Sequence, residues 1–549
     1  MLKTGQQSQN FGGGVIIYNI KTKAFTLVEL IITITILAIL ATIAFINLGN
    51  YPADSRDAVR KSDLRTIEKA MTIYHIENGR YPTPDKDTVD GKTYFGEKAF
   101  KELGKINELP LDPTTGKPYR YISLGVGYIL VAELENGELF RVDHSRLAFQ
   151  TCGMDYNSLA NKYGSYQNAP YGTNTNAFTA MKADGTLYSW GISSSGGEGH
   201  PTEKGFIKIF PFTFGFLAIN PYGKVIYWGS SKPNLPDEEG FIGIYSAGHG
   251  DLFLKKIDGK LKNYRLGIEI PQYKQVSSNH GGYAVLKPDG SIISNILTYP
   301  RGNGFKKIVS SVDEFTSMDN NGCLKSWGLK GRWNGSDAPS DCNYKKVVSS
   351  KYSFTAIDSN GCLKSWGVPG WGGNGNPTDC GYIDVKGDSH GFIAIKSDGT
   401  IKSWGAGVLN SLSIPNLKKI YMNGGSFTTL DSSGCLKSWG ADYHLRVGAP
   451  TDCSFKEVFS YGGGFIGLKL DGTLSFWGHY PNQGPTNISP GNKIVKVFSN
   501  GDAFVAMDEK GCLHSGGKPN YGGVNAPPDC GRIEVNGSRV DDLEDCSQM

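Results

Sequence analysis

The feature that most narrows the folds open to this 549-residue chain is an internal repeat. Segments of nearly the same wording, EFTSMDNNGCLKSWG (314–328), SFTAIDSNGCLKSWG (353–367), GFIAIKSDGTIKSWG (391–405), SFTTLDSSGCLKSWG (426–440) and GFIGLKLDGTLSFWG (464–478), are joined by weaker copies at 177–191, 214–229, 251–265, 282–295 and 503–517. Their turn glycines, Gly185, Gly223, Gly259, Gly290, Gly322, Gly361, Gly399, Gly434, Gly472 and Gly511, stand 31 to 39 residues apart, which makes ten units. In each unit an alternation of apolar and small residues predicts a strand, Asp-Gly or Asn-Gly a tight hairpin turn, and Leu-x-Ser-Trp-Gly the returning strand. A third short strand precedes most hairpins, as in YKKVVSS (344–350), LKKIYMN (417–423) and FKEVFSY (455–461). Three short strands cannot bury a core alone, so each unit must stack on its neighbours.

The repeat resembles that of the regulator of chromosome condensation family, in its shorter bacterial form. A secreted beta-lactamase inhibitor protein with three-stranded blades has a similar repeat length. The resemblance covers roughly residues 150–546 and implies an all-β propeller of about ten short three-stranded blades; an open β-solenoid is the alternative. The ends favour a ring. NKYGSYQNAPYGTNTN, before the first hairpin, reads as loop, while GRIEVNGS (531–538) is a leading strand with no hairpin to follow, so the C-terminal strand would complete the first blade.

All ten cysteines lie at or after Cys152. Cys323/Cys342, Cys362/Cys380, Cys435/Cys453 and Cys512/Cys530 are eighteen or nineteen residues apart, each from a hairpin turn to the linker before the next strand. Cys152 and Cys546 remain, one at each end of the repeats, where a bond between them would staple the ring. With no CxxC or His-x-His spacing, the pattern reads as disulfides in an oxidising compartment rather than as zinc ligands. The tryptophans of the Ser-Trp-Gly triplets read as packing between blades rather than as ligand platforms.

Ahead of the repeats, Phe25 to Ile46 is a run of 22 residues, apolar or Thr except for Glu29. As a helix of about 1.5 Å per residue it spans about 33 Å, enough to cross a bilayer, and a carboxylate five residues in is costly without a partner. Lys21, Lys23 and Ala24 precede it. Basic leader, small residue, Phe-Thr-Leu, fifth-position Glu and apolar helix together resemble the N-terminus of type IV pilins and type II secretion pseudopilins. The resemblance implies that residues 1–24 are a leader cut by a prepilin peptidase between Ala24 and Phe25. It also implies N-methylation of Phe25, and a Glu29 that neutralises the Phe25 ammonium as subunits pack. Ala24 departs from the family's usual Gly. An ordinary signal anchor in which Glu29 is incidental is the lesser alternative, because a charge at that position is disfavoured without a purpose; a cleavable secretory peptide fits worse, because the run is too long and lacks a small-x-small site after it.

Beyond a bend expected at Pro52, the helix is expected to resume with Asp54 or Ser55 as cap, placing Leu64, Ile67, Met71 and Tyr74 on one stripe and ending at Gly79 with Pro82. Residues 80–150 should form the head. YRYISL (119–124) and YILVAELENGELFRV (128–142) predict strands turning at Asn136-Gly137, and LPLDPTTGKPYRY (109–121) resembles pseudopilin heads. Asp85, Asp87 and Asp90 form an acidic loop that could hold calcium, although the spacing is not D-x-D-x-D-G and a solvated loop is the commoner meaning. No other cofactor or metal is expected.

A net charge of +4 without a basic stripe gives no reason to expect nucleic acid. Variable loops after each Trp-Gly would gather on one rim, where Trp333, Trp371, Tyr443, His444, Tyr480 and Tyr521 could stack on sugars or fill pockets of a partner. The combined resemblances imply a minor or tip type IV pilin-like protein displaying its propeller outside the cytoplasm, for adhesion to an extracellular glycan or protein. The alternative is a pseudopilin-like component of a secretion or DNA-uptake machine whose propeller contacts cargo or the outer channel. Either would be a single-pass membrane precursor with prepilin peptidase and other pilin subunits as partners. With no paired carboxylates at matched blade positions, no nucleophile motif and no HExxH, an enzyme is not expected.

Overall fold

The computed structural model describes residues 27–123, 127–143 and 174–539, apart from 175, 247–250, 329–336, 389, 406–411, 425, 441–447, 463, 479–491, 501 and 537. In the first helix, side chains are described at 31–36, 38 and from 52 onward.

That helix, α1 (Leu27–Asn78), is 52 residues long and contains Pro52. The expected interruption does not occur. Ala53, Ala58, Arg56 and Arg60 are strong helix formers just beyond it, and a proline inside a helix this long removes one hydrogen bond without ending it. Asp54 and Ser55 are therefore interior positions rather than caps. Gly79 ends the helix as expected, at φ 67°, its N–H donating to the His75 carbonyl at 2.8 Å. The expected membrane span, 25–46, falls mostly on positions whose side chains lie outside the description. Among the described residues no helix is long and apolar enough to cross a membrane.

The stripe of Leu64, Ile67, Met71 and Tyr74 packs on a five-stranded antiparallel sheet of β1 (Asp85–Lys86), β2 (Thr93–Tyr94), β3 (Arg120–Ser123), β4 (Tyr128–Glu133) and β5 (Leu139–Asp143). The β4–β5 hairpin turns at Asn136-Gly137, with Glu133 opposite Leu139. A short helix that the sequence did not suggest, α2 (Glu97–Leu103), closes one side of this core through Ala99 and Leu103.

Ten small antiparallel sheets follow among the described residues, seven of three strands and three of four. The weak copies form hairpins like the strong ones: Leu252–Lys256 pairs with Leu261–Asn263, and Gly282–Leu286 with Ile292–Ser294. The turns are longer than the tight Asp-Gly type. Between the paired residues Ile357 and Leu363, the Asp358 carboxylate accepts the N–H groups of Asn360 and Cys362 at 2.9 and 2.8 Å. The Gly361 N–H closes the turn on the Asp358 carbonyl at 3.2 Å. Gly361 has φ 76°, and a Cβ there would stand 2.4 Å from the Tyr382 carbonyl oxygen. The repeated glycine thus serves the left-handed turn and also the close approach of the next unit's first strand.

Contacts between units explain the rest of the repeat. Phe and Trp stack across the hairpin, as in Phe354–Trp366 at 5.6 Å and Phe392–Trp404 at 5.5 Å. Thr355 and Ser365 hydroxyls meet at 2.8 Å, and the Trp404 indole N–H of the next unit donates to the same Ser365 hydroxyl at 3.1 Å. The relay recurs as Thr316–Ser326–Trp366, Thr428–Ser438–Trp477 and Thr179–Ser189–Trp228. In these units the serine before tryptophan satisfies its neighbour's buried indole, whereas the indole N–H groups of Trp327 and Trp439 have no such partner among the described residues.

The first hairpin, β6 (Ala177–Lys182) with β7 (Leu187–Gly191), gains its missing strand from the far end of the chain. Arg532–Val535 pairs antiparallel with β6 through Glu534↔Met181 and Val535↔Ala180. Phe178, Ala180 and Trp190 of the first unit share a core with Phe498, Val505 and Met507 of the last. Disulfides join Cys323 to Cys342, Cys362 to Cys380, Cys435 to Cys453 and Cys512 to Cys530. Cys152 and Cys546 lie outside the described residues.

Ser365→Ala should cost about 1–3 kcal/mol by stranding the Trp404 indole and the Thr355 hydroxyl, read as a lower denaturant midpoint. Lys364→Ala, one residue earlier and exposed, should leave the midpoint unchanged.

Candidate interaction sites on the head and the repeat rim

Two of the three N-terminal processing positions, Ala24 and Phe25, lie outside the described residues, and so does the side chain of Glu29, whose backbone belongs to α1. Apolar side chains of α1 are exposed both ahead of the head, at Ile31, Ile32, Ile34 and Ile36, and alongside it, at Val59, Ile73 and Ile76, the last 79% exposed. Exposed apolar side chains in such number mark a surface suited to an apolar partner.

Arg60 locks α1 to the head. Almost fully buried, it donates to Asp112 at 2.6 Å, to Asp57 at 2.7 Å, to Glu135 at 2.8 Å and to the Thr114 hydroxyl at 2.6 Å. Arg56 adds two bonds to Glu135, at 2.8 and 3.0 Å. Asp57 is on α1 itself, but Asp112 and Thr114 come from the Asp-Pro turn and Glu135 from the β4–β5 turn, so one guanidinium ties the helix to both. The hydrogen bonds of Arg56 and then Arg60 hold the Glu135 carboxyl well below its ordinary range. Burial opposes the charge of Asp112, but the Arg60 bond and the N–H groups of Thr115 and Thr114 outweigh it, and its pKa is lowered too.

The outer face of the head sheet is covered as well. Ile122, Ile129 and Val131 form a cluster with Ile242 and Ile257 of the repeats, bordered by Leu139 and Tyr222. A Cβ at Gly127 would meet the Ile257 carbonyl oxygen at 2.4 Å, so the chains touch at backbone distance. Arg120 bonds Glu239 at 2.6 Å and lies 5.1 Å from the Tyr222 ring, and Arg141 donates to the Pro221 carbonyl at 2.9 Å. Tyr222 and Ile257 stand in the hairpin turns of the second and third units, where four other units carry a disulfide cysteine. The sequence carried a signal for this contact: Tyr128 to Ala132 is five apolar residues without a polar alternate, the pattern of a strand buried on both faces.

The acidic loop has other work. Asp85 accepts the N–H groups of Gly96, Lys98 and Ala99 at 3.2, 2.9 and 3.0 Å and so caps α2. Asp87 accepts from the Val89 N–H, and Asp90 from the Lys92 N–H and the Tyr94 hydroxyl. Among the described residues no group of three His, Cys, Asp or Glu is placed to hold a metal ion.

Of the rim aromatics, Trp333, Tyr443, His444 and Tyr480 lie outside the described residues. Trp371 and Tyr521 occupy matching 3-10 turns, Pro369–Trp371 and Pro519–Tyr521. Both turns bridge to neighbouring sheets: the carbonyl of Gly522 accepts the Trp190 indole N–H at 3.0 Å, and a Cβ at Gly372 would stand 2.7 Å from the Phe392 ring. Tyr521 packs against the core shared by the first and last units. Trp371 instead stands beside Tyr352, Lys351 and His390, a grouping across units that no single-unit reading could assemble.

A long helix set on one face of a small head sheet, with a fifth-position glutamate behind a basic leader, defines the prepilin class. The prokaryotic N-terminal methylation motif matches residues 20–45. The type II secretion system core protein G of Aeromonas hydrophila is 38% identical over 111 residues, covering 19% of this chain and 76% of that protein. Its counterpart from Vibrio cholerae is 37% identical over 110 residues, covering 19% and 73%. The chain belongs to the type II secretion core protein G family. Among solved structures, Prp20p of Saccharomyces cerevisiae covers 67% of this chain and 96% of its own at 12% identity and a TM-score of 0.29. The CRINKLY WD40 ectodomain of the Arabidopsis thaliana receptor kinase ACR4 covers 44% and 92% at 17% identity and 0.27.

Arg60→Met should destabilise the head by about 2–4 kcal/mol. With depressed carboxyl groups, the native head is stabilised in full above the ordinary values of 3.8 and 4.5 and loses that stabilisation as pH falls below them. Hydrogen exchange of head amides should show this acid-side loss in the native chain and a flatter profile in Arg60→Met. At the junction, Ile257→Asp should raise the radius of gyration in small-angle scattering while leaving the β content of the circular dichroism spectrum unchanged.

Proposed function

We propose that this chain is a pseudopilin subunit of a type II secretion assembly that carries a closed ten-bladed propeller as a built-in contact domain for secreted cargo or the outer channel. The head sheet with two covered faces carries the reading. With α1 on one face and the repeats on the other, the exposed apolar side chains of α1 are left for neighbouring subunits while the repeats point away from the filament axis. Pairing of Arg532–Val535 with β6, and a core shared by the first and last units, support the closed ring. In this reading a prepilin peptidase cuts before Phe25, the mature amine is methylated, and Glu29 neutralises it within the assembly. The envelope holds the helix, and the disulfide-bonded repeats lie beyond the cytoplasm.

Mass spectrometry of the envelope fraction and of sheared surface material tests this. The expected result is an N-terminal peptide beginning with N-methyl-Phe25 in the envelope, together with retention of secreted proteins in a strain lacking the chain. The processed peptide found only in sheared filaments, with secretion intact, would move the protein to an adhesive pilus. An uncut N-terminus in both fractions would overturn the pilin-type role altogether.

A further inference from the structure

The turn between the first and second strands varies in wording from unit to unit, and four consecutive units, like 247–251 of the third with His249 and Asp251, carry charged or imidazole side chains there. It carries His280, then Asp313, then Lys351 and Tyr352, then His390. The next three units have Gly424-Gly425, Gly462-Gly463 and Gly501-Asp502 at the same place. These four of the ten units thus carry polar or charged side chains at this turn, while the following three are mostly glycine there, Asp502 excepted.

These side chains converge. His280 Nδ1 lies 3.8 Å from Asp313 Oδ1. Asp313 is only 6% exposed, and its Oδ1 is buried with no hydrogen-bond partner among the described residues. Lys351, 8% exposed, holds its ammonium 5.1 Å from the Trp371 ring and 5.4 Å from that of Tyr352. Trp371 meets Tyr352 edge-on at 5.2 Å and His390 at 4.8 Å. The Ser350 hydroxyl pins the Trp371 backbone at 2.8 Å. Burial lowers the pKa of Lys351, offset in part by Asp313, and burial followed by the Lys351 charge lowers that of His390. The turn at Pro519–Tyr521 has the same backbone course and sets Tyr521 beside Lys518, but there Asp502 is already engaged by Lys518 at 3.1 Å and no histidine among the described residues flanks the ring.

We propose that Asp313, Lys351, Tyr352 and Trp371, flanked by His280 and His390, form a saccharide-binding site. A sugar hydroxyl both donates and accepts, so one hydroxyl can fill the vacant Asp313 acceptor while its neighbour accepts from Lys351 or an imidazole. The apolar C–H face of a pyranose suits a partly exposed indole. A peptide would call for an open strand edge or an apolar pocket, and a polar turn between two paired strands offers neither. The turn lies at the opposite ends of the strands from the hairpins that dock on the head, so the site faces away from the filament. The proposal stands on these contacts and is independent of whether the filament belongs to a secretion system.

Affinity electrophoresis of the detergent-solubilised full chain tests it, with gels containing polygalacturonate, xylan, hydroxyethylcellulose, casein or nothing. Retardation is expected in at least one polysaccharide gel. Asp313→Asn and Trp371→Ala should each weaken it about tenfold, while Trp371→Phe retains most of it and Tyr521→Ala all of it. Circular dichroism melting of each variant separates loss of binding from loss of fold, the near-isosteric Asp313→Asn being the decisive one. No retardation by any of the three polysaccharides, or equal retardation of native chain and Asp313→Asn, would overturn the proposal. Retardation by casein alone, abolished in Trp371→Ala, would overturn it in favour of a peptide site.

Discussion

Strand β4 is apolar on both sides, and the arrangement of the molecule depends on it. Tyr128, Leu130 and Ala132 face α1, while Ile129 and Val131 face the repeats. A sheet with one wet face could carry an appended domain on a loose tether. With two dry faces it cannot, because separation would return both the isoleucine cluster and its mates on the repeats to water. The salt link of Arg120 to Glu239 and the backbone contact at Gly127 then give a contact otherwise held by apolar packing a defined orientation.

The same logic explains where the repeat becomes irregular. A unit that touches only its two neighbours can keep a uniform wording, and the units from 305 onward nearly do. Units two and three touch a third body, the head, at their hairpin turns, and there Tyr222 and Ile257 replace the acidic, cysteine-bearing turn. Loss of the motif near 220–265 is the imprint of a second packing requirement on the first.

Much of the architecture was legible because it is local or periodic. The stripe on α1, the Asn136-Gly137 turn, ten hairpins and the four cysteine pairs all follow from spacing along the chain. What escaped was set by tertiary partners or by short elements: α2, seven residues between two glycines and capped by an aspartate eleven positions upstream of its cap residue; continuity through Pro52; and the head–repeat junction, whose traces were the unbroken apolar run in β4 and the degenerate turns of the second and third units. The rim was legible as a location. Its composition was not, since Asp313, Lys351 and His390 belong to different units and acquire meaning only when the sheets are stacked. Asp85 was misleading in the opposite sense, an acidic residue in a suggestive cluster whose oxygens are taken by the N–H groups that open α2.

Completion of the first sheet by the last strand also governs how this chain comes into being. Polypeptides are made and exported from the N-terminus, so β6 emerges some three hundred and fifty residues before Arg532–Val535 arrives to pair with it. Through that interval one edge of the first sheet is an open hydrogen-bonding template, the hazard that edge strands present to other chains. The middle units meet their partners as they appear and can close their own disulfides in turn. The first unit must wait for the end of the message, so its sheet is completed in a single late step, and a molecule truncated anywhere near its C-terminus loses the integrity of its beginning.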